Sequence, residues 1–327
     1  MKVGIMSSSR IVAEFLKHVG EMRSVEVTTM CVRPQSAERA REMLNRAGLP
    51  GAKLYTDEAA FLADGDFDFV YNGTANHLHF EQAERALRAG RNVILEKPLT
   101  VRLSETQALF DLAEQSGLWL WEAITTPYAP GYDFLRRMLP EIGPVRAVTV
   151  NFSKYSTRYD DYLAGRWNTT FDPACAGGAL MDMNVYCLHL VTGLLGAPQS
   201  ALYLPTVGRN GVDTGGLAAL RYPGFQAALV SCKDSSAPAS AVIQGERGYL
   251  EATSMPNSLE RTRAVIGGRV IDGPAHDCFR MTYEFEHFAR CWAQNDREAC
   301  RRAAAQSLTV MSLLDELRRA IPAYAGA

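Results

Sequence analysis

Residues 67–98, FDFVYNGTANHLHFEQAERALRAGRNVILEKP, decide the fold because they carry a strand, a helix and a second strand in that order. The apolar run at 67–71 predicts the first strand, and the stretch 92–95 predicts the second. Between them, residues 77–89 predict a helix that ends at Gly90, the residue type expected just past a helix end. Strands joined by a helix of this length pair in parallel, so the unit predicts a parallel sheet.

The same alternation of strand and helix extends to both sides of this unit. Further strands are predicted at 3–6, 25–32 and 118–121, and further helices at 10–19, 36–47 and 104–115. Together these elements predict an α/β domain over residues 1–122, with a Rossmann-like, doubly wound parallel sheet. Ligands of such sheets bind beyond the carboxyl ends of the strands, so the segments expected to line a site are 7–10, 33–35, 73–79 and 96–100.

The texture of the sequence changes after about residue 123. Strands, several of them joined by tight turns, are predicted at 145–154, 201–207, 217–222, 225–233, 241–244 and 249–253. Consecutive strands with short turns favour an antiparallel or mixed sheet. Two helices, at 178–195 and 306–320, fit beside it. Residues 123–327 therefore predict a C-terminal α+β domain with a mostly antiparallel sheet.

Composition and charge exclude several classes of function. With 47% hydrophobic and 21% charged residues, the chain has the composition of an ordinary globular protein. A formal net charge of −2 gives no electrostatic signature of a nucleic-acid partner or an anionic membrane surface. No apolar run reaches 18 residues, and the apolar start at 1–6 is too short for a signal peptide. We therefore expect a cytoplasmic protein with no nucleic-acid or membrane partner.

The cysteines indicate a reducing compartment. Seven of them are scattered without a C-x-x-C pair, at positions 31, 175, 187, 232, 278, 291 and 300. We expect reduced thiols rather than disulfides. No cluster of His, Asp or Glu has the spacing of zinc ligands either, so no metal is expected.

The turn after the first strand stands where a dinucleotide-binding domain carries the fingerprint G-x-G-x-x-G/A. Here serine occupies both leading glycine positions and valine the third, in the order Ser7, Ser8, Ser9, Arg10, Ile11, Val12. Glycines let backbone N–H groups approach a pyrophosphate, and each serine Cβ adds bulk where the turn is tightest. Because serine hydroxyls can donate to phosphate, a modified phosphate-binding loop and a plain strand–helix turn both stay open.

The end of the second strand bears on the choice between NAD and NADP. An acidic residue there would hold the ribose of NAD, but the chain offers Arg33-Pro34-Gln35 and no carboxylate. Arg33 suits a 2′-phosphate and favours NADP, although an exposed arginine on a loop explains it nearly as well.

Two other segments follow strands of the predicted parallel sheet. Asn76 can cap the next helix, and a structural cap accounts for it by itself. In Glu96-Lys97-Pro98, a lysine stands at a strand's carboxyl end with a carboxylate beside it and a proline that fixes the turn. A solvated surface pair is the commoner outcome for such spacing, so the spacing alone does not assign a function.

Three segments, in their order and spacing, resemble one family: YNGTANHLH at 71–79, EKPLT at 96–100 and GGALMDMNVY at 177–186. By them the chain is identified as a member of the glucose-fructose oxidoreductase / inositol dehydrogenase family, Gfo/Idh/MocA. The resemblance implies a Rossmann domain for NAD(P) and an open-faced sheet domain for substrate and dimerisation. It places the residue matching Lys97 beside the nicotinamide and the substrate. The expected cofactor-binding residues are Ser7, Ser8, Ser9, Arg10, Ile11, Arg33, Thr74, Asn76, His79, Glu96 and Lys97.

Family members commonly carry Asp-x-x-x-His in the second domain, and here the spacing reads Asp182 to Tyr186, with tyrosine at the histidine position. This resembles the branch that contains glucose-fructose oxidoreductase and dimeric dihydrodiol dehydrogenase. Residues four apart share one face of a helix. A phenol can do acid–base work when a nearby cation stabilises its phenolate, and Lys97 is the candidate cation. A half-buried core tyrosine is the alternative for Tyr186.

These features together lead us to expect an NAD(P)-dependent oxidoreductase that transfers a hydride between nicotinamide and a sugar, polyol or diol. Lys97, Tyr186 and Asp182 are its expected catalytic residues. Substrate contacts are expected from Asp182 and Tyr186 and from the segment that holds Tyr155, Arg158 and Tyr159. A homodimer or higher homo-oligomer is expected from the resemblance. Two alternatives stay open: a regulatory protein that has lost tight cofactor binding, and a hydrolase or lyase that retains bound NAD.

Overall fold

The computed structural model describes residues 1–324, which form two compact units. The first unit comprises Met1–Ala123 together with Cys278–Leu308. The second comprises Ile124–Asp277 and the segment that begins at Thr309. The chain first divides between Ala123 and Ile124, and residues 278–308 pack with the first unit, whereas the prediction placed them in the second.

A six-stranded parallel sheet forms the core of the first unit, in the strand order β3-β2-β1-β4-β5-β6. Its strands are β1 (Lys2–Met6), β2 (Glu26–Cys31), β3 (Lys53–Tyr55), β4 (Phe69–Asn72), β5 (Asn92–Glu96) and β6 (Leu120–Ala123). Strands β4 and β5 are buried along their whole length, as expected of parallel strands covered on both faces. The chain order reverses direction in space at β1, between β2 and β4, which confirms the doubly wound sheet.

The helices of the first unit connect these strands or return to them. They are α1 (Arg10–His18), α2 (Ala37–Arg46), α3 (Glu58–Asp64), α4 (His79–Arg88), α5 (Leu103–Gln115), α9 (Arg280–Gln294) and the first part of α10 (Arg297–Arg318). Helix α9 belongs here because its aromatic face packs on the sheet side of α1. The Phe285 ring lies 4.5 Å from that of Phe15 and 5.1 Å from that of Tyr71, and Phe288 stacks on Trp121 at 4.7 Å.

An eight-stranded sheet forms the core of the second unit, in the order β14-β13-β12-β11-β7-β10-β9-β8. The strands are β7 (Val145–Ser153), β8 (Ser200–Val207), β9 (Asp213–Tyr222), β10 (Phe225–Cys232), β11 (Ser240–Gly245), β12 (Gly248–Ala252), β13 (Thr262–Ile266) and β14 (Arg269–Asp272). Only the β7–β10 pair is parallel, and every other pair is antiparallel. The predicted mostly antiparallel sheet is therefore confirmed, with β13 and β14 as additions.

The two faces of this sheet differ in burial. Residues such as Tyr203, Ala218, Leu229 and Val150 are buried on one face. The opposite face is open, since its apolar side chains are exposed or only half-buried: Leu202, Leu204, Leu217, Ala219, Ala228, Val230 and Val242. Leu202 and Leu204 on the edge strand β8 are 56% and 54% exposed. An apolar face of this kind on a folded unit indicates an interaction surface.

The remaining helices of the second unit are α6 (Pro130–Met138), the short α7 (Tyr159–Leu163), a π-helical turn at Leu180–Asn184 and α8 (Val185–Leu195). The prediction gave one regular helix over 178–195 and did not include α6. The stretch Pro173–Leu195 is long and apolar enough to span a membrane by composition alone. Its apolar window is 78% buried inside the protein, as in the core helix of a globular unit.

Candidate active site

Three loops meet at the carboxyl edge of the parallel sheet in the first unit. They follow β1, β4 and β5, which are neighbours in the sheet, so residues 7–9, 73–76 and 97–100 lie side by side. The expected ligand-binding segments therefore do stand together at the strand ends. Arg33 follows the next strand, β2, and is exposed there.

The first serine of this turn has a backbone conformation that favours glycine. Ser7 has a φ of 116°, in the region that favours glycine. Its hydroxyl accepts a hydrogen bond from the Ser9 N–H at 3.0 Å. The Ser9 side chain in turn caps α1, accepting from the Val12 N–H at 3.5 Å. Thus two N–H groups of this region, those of Ser9 and Val12, are hydrogen-bonded by the serine hydroxyls.

Space for Val12 comes from the neighbouring loop. A Cβ at Gly73 would stand 2.7 Å from Val12 Cγ2, closer than real contacts allow, and 3.3 Å from Ile11 Cγ2, which is tight. Val12 is fully buried, and a β-branched side chain in a helix has little rotamer freedom with which to give way. The small residue that the fingerprint puts at its third position therefore stands here on the loop after β4.

The loop after β4 is ordered by its own polar groups. Asn72 Oδ1 accepts from the Thr74 N–H at 3.1 Å and from the Thr74 hydroxyl at 2.8 Å, and the same hydroxyl lies 2.7 Å from Gln82 Oε1. Asn76 begins a 3-10 turn, Asn76–Leu78, ahead of α4, and α4 has no side-chain cap. The predicted capping of that helix by Asn76 is therefore wrong, and Asn72 fixes the loop instead.

His79 is fully buried below these loops. Its Nδ1 lies 2.9 Å from the Pro98 carbonyl oxygen and its Nε2 lies 3.3 Å from that of Thr74. Burial lowers the pKa of the imidazole to about 4, so the ring is neutral and donates from one nitrogen only. His79 therefore lies between the loop after β4 and the loop after β5.

The segment that carries Lys97 is anchored from below by a buried carboxylate. Glu96 accepts from the Tyr71 hydroxyl at 2.8 Å and from the Lys97 N–H at 3.2 Å. Burial raises the pKa of the Glu96 carboxyl, and the Lys97 charge opposes that rise. Glu122 holds the next residues by accepting from the Leu99 N–H at 3.1 Å. Lys97 itself is half-buried at the strand's carboxyl end, as predicted from its position.

In the second unit, Asp182 lies within the π-helical turn Leu180–Asn184 and Tyr186 lies in the first turn of α8. Two features fix this turn. Asp213 accepts from the Leu180 N–H at 2.7 Å, and Gly178 leaves room for that carboxylate, since a Cβ there would meet it at 2.0 Å. Single π-turns are uncommon and occur often at functional sites. The regular i, i+4 face predicted for Asp182 and Tyr186 is therefore wrong in detail.

Exposure separates the two side chains of this segment. The Asp182 side chain is 44% exposed, whereas Tyr186 is buried, with its ring 5.9 Å from that of Phe152. Asp182 is ion-paired with Lys233, which follows β10. The sequence analysis missed Lys233, although a lysine directly after the apolar run of β10 was a visible signal.

The segment expected to contact substrate is partly a helix. Tyr155 donates to Asp160 at 2.6 Å, and Arg158 is ion-paired with Asp161 at 3.6 Å. Tyr159 begins α7 and packs on a small aromatic cluster, with its ring 5.5 Å from that of Phe171. Only the part of this segment before Tyr159 is a loop.

Metal ligation and disulfides have no visible basis in the described part of the chain. Within residues 1–324, no three His, Cys, Asp or Glu side chains are grouped so as to hold a metal ion. All seven cysteines of this range are free thiols, and burial raises the pKa of several, including Cys31 to about 12.

Comparison with known proteins assigns the family. The family described as "Oxidoreductase family, NAD-binding Rossmann fold" matches residues 1–124, and the "GFO/IDH/MocA C-terminal domain" matches residues 135–251. The chain therefore belongs to the Gfo/Idh/MocA oxidoreductases, which confirms the resemblance seen in its motifs.

Individual relatives match over almost their full length. The chain is 32% identical to scyllo-inositol 2-dehydrogenase (NADP(+)) IolU of Bacillus subtilis, over 98% of this chain and 96% of that one. It is 26% identical to trans-1,2-dihydrobenzene-1,2-diol dehydrogenase of Xenopus tropicalis, over 96% of both chains. Among solved structures, KijD10, a 3-ketoreductase from Actinomadura kijaniata in complex with NADP, has a TM-score of 0.78 at 26% identity, covering 98% of this chain and 97% of that one.

Proposed function

We propose that this oxidoreductase uses NADP(H) to interconvert a hydroxyl and a carbonyl group on a sugar, polyol or diol. The observation that carries the proposal is the placement of Lys97 at the carboxyl end of β5, fixed from below by Glu96 and Tyr71 in the NAD-binding unit. Relatives named for inositol, dihydrodiol and xylose oxidation support the substrate class.

The first unit fits a dinucleotide despite its serines. Ser7 keeps the left-handed backbone of the fingerprint glycine, and Gly73 provides the room that the fingerprint provides at its third position. The residues that would hold the cofactor are the start of α1, where N–H groups and the helix dipole favour phosphate, and Thr74 and Asn76 on the next loop. Arg33 supports NADP over NAD because a guanidinium binds a phosphate well.

A bound NADP(H) supplies the hydride acceptor or donor. In this proposal the Lys97 ammonium stabilises negative charge as it develops on the substrate oxygen. Tyr186 holds or releases the proton at its phenolic oxygen. The Asp182 carboxylate accepts a hydrogen bond from a substrate hydroxyl, which its exposed fraction supports. Tyr155, Arg158 and Tyr159 complete the polar contacts to substrate.

We further propose a cytoplasmic homodimer. The open apolar face of the second sheet, which includes Leu202 and Leu204, supports association of two copies. Sedimentation analysis of Leu202→Glu/Leu204→Glu tests this, because two buried charges would separate a dimer that uses this face. A dimer that persists in this variant, with unchanged affinity, contradicts the proposed face.

A second candidate is a regulatory protein that binds the nucleotide poorly or not at all. The observation that favours it is the hydrogen bonding of the loop amides by Ser7 and Ser9, which a phosphate would have to displace. Titration of the protein with NADPH and NADH, followed by nicotinamide fluorescence, separates the two candidates. If neither nucleotide binds at millimolar concentration, the proposal that the protein is an enzyme is contradicted.

Turnover is tested on a panel of scyllo-inositol, D-xylose and a trans-dihydrodiol with NADP. In Tyr186→Phe we expect kcat to fall by about 10²-fold or more, the usual loss when a general acid–base group is removed. NADPH affinity should not change. The control is Tyr249→Phe, which changes a tyrosine on strand β12 of the eight-stranded sheet. Equal rates for Tyr186→Phe and the wild type would assign the proton transfer to another group.

A further inference from the structure

The second unit contains a buried lysine that no motif pointed to. Lys233 follows β10 and is 2% exposed, and its ammonium forms an ion pair with Asp182. The same ammonium lies 5.5 Å from the centre of the Phe171 ring, within cation–π range. Buried lysines are rare unless they are paired, so Asp182 accounts for the charge of Lys233 at this position.

The backbone of Lys233 joins the other parts of the expected substrate region. Its N–H donates to the Thr214 carbonyl oxygen at 2.7 Å, and its carbonyl oxygen accepts from the Ser156 N–H at 2.8 Å. Ser156 lies in the segment that holds Tyr155 and Arg158. Lys233 therefore contacts the π-helical turn through its side chain, and strand β9 and this segment through its backbone.

The two partners differ in exposure, and this difference indicates which of them faces a ligand. Lys233 is enclosed, whereas 44% of the Asp182 side chain is exposed. A salt bridge that served only the fold would gain little from leaving one carboxylate in solvent, because exposure screens the attraction. The π-turn at Asp182 adds a local distortion of the helix at the same residue, as is common where a side chain is directed to a function.

We propose that Lys233 is a positioning residue: its ammonium fixes the Asp182 carboxylate so that it accepts hydrogen bonds from hydroxyl groups of a neutral polyol or sugar. This inference rests on the proposed function. The pair carries no net charge, so it suits an uncharged polyhydroxylated substrate. Lys233 acts on the binding of substrate through Asp182, whereas Lys97 acts on the reacting oxygen.

The test uses the full-length protein with NADP and scyllo-inositol, or with the panel polyol of highest kcat/KM. Lys233→Met keeps the length of the side chain and removes its charge. We expect KM for the polyol to rise about tenfold or more with kcat within about threefold, since a group that orders bound substrate affects uniform binding. The NADPH dissociation constant should stay within twofold. Lys154→Met, an exposed lysine just after β7, is the matched control and should leave KM unchanged.

A double-mutant cycle distinguishes the pair from two separate effects. Asp182→Asn should raise KM as Lys233→Met does, and the double variant should be no worse than Asp182→Asn alone. Asp182→Asn should also unfold at a lower temperature than Lys233→Met. The first variant leaves a buried ammonium without its counter-charge, whereas the second leaves only a half-exposed carboxylate unpaired.

Either of two results overturns the inference. One is a KM for Lys233→Met within twofold of the wild type, and the other is additivity of the two KM effects. A wild type that turns over no polyol contradicts the proposed function instead, and this role of Lys233 with it. Turnover that is insensitive to Lys233→Met contradicts the inference alone.

Discussion

The serine turn of the first unit and the Asp182–Tyr186 segment of the second depart from their motifs in opposite ways. Around Ser7 the residue types have changed, yet Ser7 has a φ of 116°, in the region that favours glycine. Around Asp182 the residue types fit the tyrosine-containing form of the motif, yet the backbone leaves the regular helix for a π-turn. A motif match therefore does not fix the local backbone geometry, and a motif mismatch does not exclude a glycine-like backbone.

The physical reason lies in what surrounds each segment. The first turn follows strand β1 and packs beside Gly73. Because Gly73 has no side chain, it leaves room for the side chain of Val12. The second segment is shaped by partners from distant strands, Asp213 at its start and Lys233 at Asp182. Both kinds of constraint come from residues more than 30 positions away along the chain, so neither is visible to reasoning from local sequence patterns.

The largest expected effect concerns Lys97, where motif and structure agree. In Lys97→Ala we expect kcat/KM to fall by about 10³-fold, about 4 kcal/mol, because the charge that stabilises the developing alkoxide is lost. NADPH affinity should remain within a fewfold of the wild type. Steady-state kinetics with NADP and the panel polyols measure the first, and fluorescence titration the second. The exposed Lys17→Ala is the control.

If the activity of Lys97→Ala stays within about tenfold of the wild type, which is about 1.4 kcal/mol of barrier, Lys97 is not a catalytic residue. It would also show that a segment whose motif and position both match the family, Glu96-Lys97-Pro98, need not supply a catalytic group.

The second prediction concerns the pH dependence that His79 imposes on stability. Its pKa is about 4 in the folded protein and about 6.5 in the unfolded chain. Between these values the unfolded chain binds a proton at this ring and the folded chain does not, so the free energy of unfolding decreases as the pH falls through this window. The full effect is about 3 kcal/mol.

Urea unfolding between pH 7 and pH 4 measures this effect. His79→Gln should show a flatter decline of stability with acidification than the wild type, and His77→Gln, an exposed neighbour, should show the same decline as the wild type. Parallel curves for wild type and His79→Gln would mean that His79 is protonated in the folded state and bridges both carbonyls as a cation.

The third prediction tests whether Gly73 replaces the small residue of the fingerprint. Gly73→Ala should weaken NADPH binding and lower stability by about 2 kcal/mol, because its Cβ overlaps the Val12 side chain. Val12→Ala removes the overlapping methyl groups, so the double variant should recover part of the loss. Thermal unfolding and fluorescence titration of the four proteins give the coupling.

A coupling above about 1 kcal/mol would show that Gly73 is needed because of the volume of Val12, since the effects of residues in contact are expected to be non-additive. Additive effects would show that Gly73 is required for a reason other than the volume of Val12.

Much of the fold was predictable because its signals are local. The strand–helix alternation of residues 1–122 and the run of strands after 145 were both confirmed, as was the family assignment from three short segments. Strands β13 and β14 were missed even though Gly267 and Gly268 between them are a hairpin signal, and both adopt positive φ. Strand β3 and the helices α3 and α9 were also missed, although Asp57 stands ahead of α3 as a visible cap.

The features that were not predictable depend on tertiary partners. The return of α9 to the first unit is stabilised by Phe285 against Phe15 and Tyr71, residues more than 200 positions earlier. The π-turn at Asp182 depends on Asp213, whose pKa burial raises to about 6, and on the space left by Gly178. No periodicity along the chain reports contacts of this range.

The fourth prediction concerns Arg33, at the exposed end of β2. Arg33→Ala should weaken NADPH binding about tenfold, about 1.4 kcal/mol, through loss of a charge-assisted hydrogen bond to the 2′-phosphate. NADH binding should not change, because NADH lacks that phosphate. Paired titrations with the two nucleotides measure the ratio, and Arg39→Ala on the exposed side of α2 is the control. A fall of equal size for NADH would make Arg33 a general contact and would leave the choice of nucleotide to another residue.

The smallest expected effect bears most directly on the serine turn. Ser7→Gly should stabilise the protein by about 1 kcal/mol, because relief of the strain at a φ of 116° exceeds the loss of one hydrogen bond to the Ser9 N–H. It also frees that N–H for phosphate, so NADPH affinity should rise slightly. Ser8→Gly lacks the strain and should lose stability through backbone entropy. If Ser7→Gly loses as much stability as Ser8→Gly, the hydroxyl of Ser7 and not its backbone conformation governs the turn, and the serine loop is an adapted structure rather than a glycine loop with added side chains.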